Sequence, residues 1–213
     1  MTTLLLIRHG ESMANTEKRF AGHLNVPLSD VGKAQAEVTA DHIVSHYTVD
    51  AVYASDLLRA FHTGKAVADL LGVPTIPNRD LREICAGDWE GVTFDDLEKH
   101  FPVSYSVWRS DIGNAVCDNG ESVAALQKRF LSAICRIAAE NDGKTMVIGT
   151  HATPIRTLQC HCEGKSLDEM ASVPWVTNAS ITVVEYENGK LRLVQVGNDA
   201  HLGQNRTTLP ANV

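Results

Sequence analysis

No apolar run in this sequence approaches the ~18 residues that a membrane-crossing helix needs. The first, Leu4-Leu5-Leu6-Ile7, leads directly into charged residues and is too short for the apolar region of a secretory signal, so a cytoplasmic location is expected. Positive charge is scarce as well: 19 Lys and Arg stand against 26 Asp and Glu, a net charge of -7. Nucleic acids and anionic membrane surfaces need a basic face, so neither is expected as a partner. A disulfide framework is missing, since the five cysteines, Cys85, Cys117, Cys135, Cys160 and Cys162, are odd in number and scattered. Cys160-His161-Cys162 lacks a second ligand pair at zinc spacing and falls in a helical pattern, so it reads as ordinary helix. Neither a Walker-type glycine loop nor an Asp/Asn cluster for magnesium is evident. No metal or other cofactor is expected, and there is no internal repeat, low-complexity tract or linker.

What remains is an ordinary globular composition, 44% hydrophobic and 21% charged over 213 residues. It fits a single domain over 1–213 with a lid-like insertion around 84–120. The uninterrupted run Leu4–Ile7 reads as a strand buried on both faces. Ser29 is placed to cap a helix of about 17 residues. Ala51–Ala54 is a second short strand ending at Ser55-Asp56, another capping pair. The helix that follows stops at Gly72, and Val73–Pro77 is a short extended piece whose prolines suit a sheet edge. Two short helices are expected near 93–100 and 103–109. The clearest helical pattern spans 121–140, and Thr145–Gly149 is a third buried strand. A further helix carries Ile155 and Leu158 and ends near Gly164. Asn188-Gly189 joins two strands as a hairpin. The last dozen residues are polar and expected on the surface. Strands alternating with helices imply an α/β fold, a three-layer sandwich with a mostly parallel sheet flanked by helices and one antiparallel edge strand.

Three apolar strands end in functional residues: the first in Arg8-His9, the second, one helical turn on, in Arg59, and the third in His151. If the strands run parallel, these ends share one edge of the sheet, where open α/β sheets bind their ligands. Two guanidinium groups offer more fixed donors than a carboxylate can use and match a phosphate dianion. With phosphate there, a neutral histidine can attack phosphorus while the arginines neutralise its oxygens. Arg-His-Gly alone would equally suit a basic pair capping a surface strand, and Glu83 alone would read as a solvated loop acid.

The run Arg8-His9-Gly10-Glu11-Ser12 with Asn15 resembles the signature of the histidine phosphatase superfamily, in its phosphoglycerate mutase-like branch. The likeness continues through Pro27-Leu28-Ser29 with Gly32 and Gln35-Ala36, and through Ser55–Ala60 with Thr63, where Asp56 stands at a usual proline. It extends to Leu81-Arg82-Glu83 with Gly87–Gly91, to Thr150-His151 with Ala152 at a usual glycine, and to Asn178-Ala179-Ser180. The resemblance implies His9 as the nucleophile that becomes phosphohistidine. It implies Arg8, Arg59, His151 and Asn15 as holders of the phosphoryl group, with Gly22 and Ala152 also in the substrate site. It makes Glu83 the group that protonates the leaving alkoxide and then deprotonates water.

The expected activity is a metal-independent phosphomonoesterase acting on a small-molecule phosphate ester. Alternatives are phosphoglycerate mutase-type transfer, an inactive phosphate-binding regulatory domain and a metal-dependent hydrolase. Eight acids between Ile84 and Ser122 (Asp88, Glu90, Asp95, Asp96, Glu98, Asp111, Asp118 and Glu121), opposed only by Lys99 and Arg109, predict an acidic lid that repels highly charged substrates. Trp89 and Trp108 read as packing residues. His23, His42, His46, His62, His100, His161 and His201 have no assigned partner and read mostly as surface residues. Oligomeric state is open, a homodimer among the states considered.

Overall fold

A computed structural model describes residues 1–208; of the polar last dozen residues, 209–213 lie outside the described part. In chain order the elements are β1 (Thr2–Arg8), α1 (Met13–Thr16), α2 (Asp30–His46), β2 (Ala51–Ala54), α3 (Leu58–Leu71) and β3 (Thr75–Pro77). They continue with α4 (Phe94–His100), α5 (Pro102–Ser110), α6 (Val123–Glu140), β4 (Thr145–Thr150), α7 (Ala152–Cys162), β5 (Ile181–Glu187) and β6 (Lys190–Asn198). The strands form one sheet in the order β3-β2-β4-β1-β5-β6. The first four in that order pair in parallel, and the β5–β6 hairpin supplies the antiparallel edge.

The alternation of side chains along β1 explains the three layers. Leu4 and Leu6 pack with Phe130, Ile134 and Ile137 of α6 and Ile155 and Leu158 of α7. Leu5 and Ile7 point the other way, into Ala40 and Ile43 of α2 and Val67 of α3. All four are fully buried, so the strand carries no polar face. Each such side chain contributes roughly 2–3 kcal/mol through burial.

Local signals in the sequence do what their chemistry predicts. The Ser29 side chain accepts from the Gly32 amide and caps a helix of 17 residues. Gly72 closes α3 in the left-handed region. Asn188 and Gly189 both have positive φ, the geometry of a tight two-residue hairpin turn. Cys160, His161 and Cys162 lie in α7, and the five cysteines are free thiols.

Three local expectations need correction. Ser55-Asp56 does not cap α3 as a pair. Ser55 Oγ accepts from the Leu57 amide, but the Leu58 amide is taken by Asn25 Oδ1 from the preceding loop. Asp56 is instead bound bidentately by Arg82, at 2.5 and 2.6 Å, which keeps its charge compensated. The C-terminal stretch is not simply a surface tail, because Leu202 is buried and the Asn205 carbonyl accepts from Gln35 Nε2. Finally, His201 is not an unpartnered surface residue: its Nε2 bonds Thr39 Oγ1 at 2.9 Å and its ring stacks on His42, which stacks on His46.

Residues 84–117 build a separate aromatic core above the strand ends. Trp89 meets Phe20, Tyr105 and Trp108 edge-on, with centroids 5.5 to 5.9 Å apart. This cluster carries α4 and α5 and positions them beside the carboxyl edge of the sheet.

Candidate active site

The parallel register aligns the three strand ends. Arg8 at the end of β1 lies opposite Thr150 at the end of β4, and Ala54 at the end of β2 lies opposite Gly149. His9 and His151 therefore emerge side by side, their rings 5.2 Å apart and edge to face. Arg59 joins them from the first turn of α3. One cleft is lined by Arg8, His9, Asn15, Gly22, Arg59, Glu83 and Ala152. His151 is fully buried behind it, so all the residues singled out in the sequence converge on one place.

The loop after β1 reaches this geometry because two glycines let it lie against α2. A Cβ on Gly10 would stand 2.4 Å from the Gly32 carbonyl oxygen, and one on Gly32 would stand 1.9 Å from that of Glu11. Thr63 Oγ1 accepts from the Gly10 amide, and Gln35 Oε1 accepts from that of Glu11. Behind the loop, Asn178 Nδ2 donates to the His9 carbonyl and the Ala179 amide to that of Arg8. Ala179 sits in the left-handed region to do so, at a backbone cost.

His9 Nδ1 lies 2.7 Å from the Gly10 carbonyl oxygen. A carbonyl only accepts, so Nδ1 carries the proton and Nε2 keeps its lone pair. Burial, then the nearby Arg59 and Arg8 charges, hold the His9 pKa well below the ordinary histidine value. The imidazole is thus neutral at neutral pH. His151 is lowered in the same way, by burial, Arg59 and His9; its Nε2 is 2.9 Å from Ser55 Oγ.

Burial also pulls Arg8 and Arg59 down to about 10, which leaves both charged at neutral pH. Arg59 is steadied by the carbonyls of Gly22 and Leu24, both at 2.8 Å, and Arg8 by that of Val176. Even so, Arg8 Nε, Arg59 Nε and His151 Nδ1 are buried without a partner among the described residues. Three unpartnered polar atoms on adjacent cationic or polar side chains are what a multi-oxygen anion would satisfy. Asn15 Oδ1 is occupied by the Ser12 amide and hydroxyl, which fixes its side chain at the cleft. Glu83 faces the cleft with Oε1 on the Ile84 amide and Oε2 3.4 Å from the Thr153 amide. Ala152, where a glycine is usual, begins α7 and presents the helix N-terminus to the cleft. Among the described residues no group of three or more His, Cys, Asp or Glu side chains is placed to hold a metal ion.

The acidic lid does not hold. None of its eight acids lines the cleft. Asp118 binds Trp89 Nε1 and Ser104, Glu90 binds the amides of Ala86 and His23, Asp96 binds Thr93 and Lys99, and Glu121 binds Arg129. Counting charges along a segment ignores which way the side chains turn. What faces the cleft is aromatic: Phe20, Phe94, Trp108 and Trp175. Trp108 packs in the aromatic core as expected and also borders the cleft, while Trp89 is fully buried as expected. Trp175 is braced from behind by the Arg156 guanidinium, 4.3 Å from its ring centroid, which itself holds the carbonyls of Val173 and Met170. Arg19 also reaches the cleft, anchored by Glu17 and the Gly91 carbonyl. These residues are scattered over 156 positions with no shared spacing, so no sequence pattern marked them.

The buried histidines set a pH dependence of stability. Their native pKa values lie below the unfolded value of about 6.5, so the unfolded chain takes up protons first as the pH falls. Stability is complete above about pH 6.5 and is lost progressively below it. His201, lowered to about 4 chiefly by burial, adds to the same slope. A thermal melt series from pH 7.5 to 4.5 is expected to give a steadily falling Tm, with His201→Asn flattening the slope; a flat wild-type profile would contradict these assignments.

Comparison with known proteins agrees with the geometry. The family model described as histidine phosphatase superfamily (branch 1) matches residues 4–199. The chain is 32% identical to phosphoglycerate mutase-like protein 4 of Arabidopsis thaliana, over 93% of this chain and 86% of that one. It is 36% identical to the adenosylcobalamin/alpha-ribazole phosphatase of Salmonella typhimurium, over 70% of this chain and 73% of that one. The solved structure of Bacillus stearothermophilus YhfR superposes with a TM-score of 0.90 at 30% identity, covering 95% of this chain and all of that one.

Proposed function

The chain belongs to the histidine phosphatase superfamily, and from that premise we propose that it hydrolyses small phosphomonoesters, without a metal, through a phosphohistidine on His9. The observation that carries the reading is the pairing of a neutral, buried His9 imidazole with two buried arginines whose Nε atoms lack partners. In the first step His9 Nε2 forms a bond to phosphorus as the ester oxygen leaves, and Glu83 gives that oxygen a proton. Arg8 and Arg59 hold the phosphoryl oxygens, helped by His151, Asn15 and the main chain at Gly22 and Ala152. In the second step water attacks phosphorus, Glu83 takes the water proton back, and the bond to His9 breaks. The arginines serve twice: they bind the dianion, and in the free protein they add to burial in keeping His9 unprotonated.

The walls of the cleft argue for the substrate class. Phe20 and Trp108 lie 5.1 Å apart, and Trp108 and Trp175 lie 6.5 Å apart. An aromatic wall of this kind, its rings set at 72° and 36° to one another, suits an ester whose alcohol is aromatic or apolar and carries little charge. A carboxylate on the alcohol, as in a phosphoglycerate, would meet these aromatic rings, with Arg19, among the described residues, the one cation on the lining besides Arg8 and Arg59.

The test is phosphate release from a phenyl phosphate with EDTA present, beside assays for isomerisation of 3-phosphoglycerate. Undiminished release with chelator, exceeding any isomerisation, is the expected result. Loss of release with EDTA would sink the metal-free mechanism, and faster isomerisation would make the protein a mutase. In the same assay Trp175→Ala is expected to raise KM for the aryl ester about 10-fold, the worth of roughly 1.4 kcal/mol of aromatic contact, with kcat little changed.

A further inference from the structure

The short segment that carries Glu83 is touched by His23 at the Glu83 carbonyl and by Thr150 at that of Leu81, but one guanidinium makes most of its contacts. Arg129, on α6, directs all its donors at this segment and at one acid. Its Nη1 donates to the carbonyls of Asp80 at 2.9 Å and Arg82 at 3.1 Å, and its Nη2 to that of Glu83 at 3.2 Å. Nη2 and Nε also donate to the two oxygens of Glu121, at 2.8 and 3.0 Å. Glu121 then holds the chain on the far side of Glu83. It accepts from the Cys85 amide at 3.2 Å, and its own amide donates to the Cys85 carbonyl at 2.7 Å. The approach is close because residue 120 is glycine, where a Cβ would lie 2.4 Å from the Cys85 oxygen. Both charges of the pair are largely buried, at 21% and 16% exposure.

The Glu83 carboxylate, by contrast, is held among the described residues by the main-chain amides of Ile84 and Thr153 alone, and by no side-chain hydrogen bond that would fix its distance from His9. That distance is set by where the backbone of residues 80–85 lies, and the ion pair fixes the backbone before and after Glu83. We propose that the Glu121–Arg129 pair is the positioning device for Glu83, setting the reach of the general acid–base group to the leaving oxygen. The inference rests on the reading of Glu83 given above. A planar fork is needed for it, since a lysine ammonium cannot span three carbonyls and a carboxylate together. A general acid must lie within hydrogen-bond reach of its target oxygen, so a small shift of this segment removes proton donation while leaving phosphate binding intact.

The experiment is a series of phosphate esters, from nitrophenyl phosphate to simple alkyl phosphates, with kcat/KM plotted against leaving-group pKa. Esters with poor leaving groups need the proton; nitrophenyl phosphate does not. Glu83→Gln is expected to steepen the plot. Arg129→Lys is expected to steepen it likewise, with alkyl esters slowed about 10- to 100-fold and the nitrophenyl ester changed less than about 3-fold. In the Glu83→Gln background, Arg129→Lys should add less than about 3-fold to any ester. Glu121→Gln provides a second variant should the lysine protein fold poorly, and is expected to steepen the plot to a smaller degree. Lys128→Ala, exposed on the same helix, should leave every rate unchanged. Equal slowing of all esters by Arg129→Lys, or its full effect on top of Glu83→Gln, would mean a general structural brace and overturn the inference. An unchanged slope in Glu83→Gln alone would remove the acid assignment, and this inference with it.

Discussion

Replacing His9 by alanine is expected to lower the turnover of every phosphate ester on the order of 10⁴-fold or more, the scale on which loss of a covalent nucleophile acts. The loss should be chemical rather than one of binding. Arg8, Arg59 and His151 are anchored by Val176, Gly22, Leu24 and Ser55, none of which depends on the His9 ring. Inorganic phosphate or vanadate should therefore still raise the Tm of His9→Ala, by about 5–10 °C at a hundredfold excess over Kd. Wild-type protein quenched in alkali during turnover of a labelled ester should retain label on one histidine, and His9→Ala should retain none. Label on His151, or residual turnover within 100-fold of wild type, would refute the assignment of His9 as nucleophile.

The gathering of Arg8, His9 and His151 at one sheet edge is legible in the sequence because the strand ends are written in the chain. Leu4–Ile7 followed by Arg8-His9 needs no tertiary information: an apolar run stops, and the next two side chains must leave the sheet at its edge. The same holds for Thr145–Gly149 before His151. The caps at Ser29 and Gly72 and the Asn188-Gly189 turn are decided within four residues by backbone chemistry, and each appears as read. Asn178-Ala179 is legible only through resemblance, since nothing local says that its amides would hold the carbonyls of Arg8 and His9 from 169 to 171 residues away.

Where the sequence misled, the deciding fact was side-chain direction. The acids between 84 and 122 form an acidic segment by count, yet each one with a partner turns to a local amide, hydroxyl, indole or cation, and the cleft receives the aromatic faces instead. Trp108 shares the buried face of a short helix with Tyr105, and no periodicity over nine residues tells that its ring also borders the cleft. Trp175 lies in an irregular stretch, held by an arginine 19 residues earlier. The proposal of a weakly charged alcohol therefore rests on aromatic contact and not on acidic repulsion. His23 is a similar case: its ring nitrogen lies 2.9 Å from the Glu83 carbonyl oxygen, a contact between loops 60 residues apart.

Arg59→Met is expected to remove both binding and chemistry, and so to contrast with His9→Ala. Arg59 is 1% exposed and stands beside both histidines. Losing a fixed cation at a transferring phosphoryl group costs roughly 10³-fold or more in rate. The phosphate-induced rise in Tm should shrink to a small fraction of the wild-type value. The pH profile should change too. The Arg59 charge is the second cause, after burial, that lowers both His9 and His151. Without it their pKa values rise toward the ordinary value, so protonation silences His9 at a higher pH and the acid limb of the residual activity moves up. Arg59→Lys should keep that limb near its wild-type position, because the charge sign is retained. It should still lose much of the rate, because an ammonium cannot hold the carbonyls of Gly22 and Leu24 and a phosphoryl oxygen in one plane. The unliganded Arg59→Met protein need not be less stable. Burial works against the Arg59 charge, and removing that charge ends the cost while leaving two carbonyls unpartnered. A variant with unchanged Tm, no phosphate response and an acid limb shifted upward would identify Arg59 as a residue kept for the dianion at the expense of electrostatic comfort in the free protein. A normal phosphate response would show that Arg8 alone suffices to bind it.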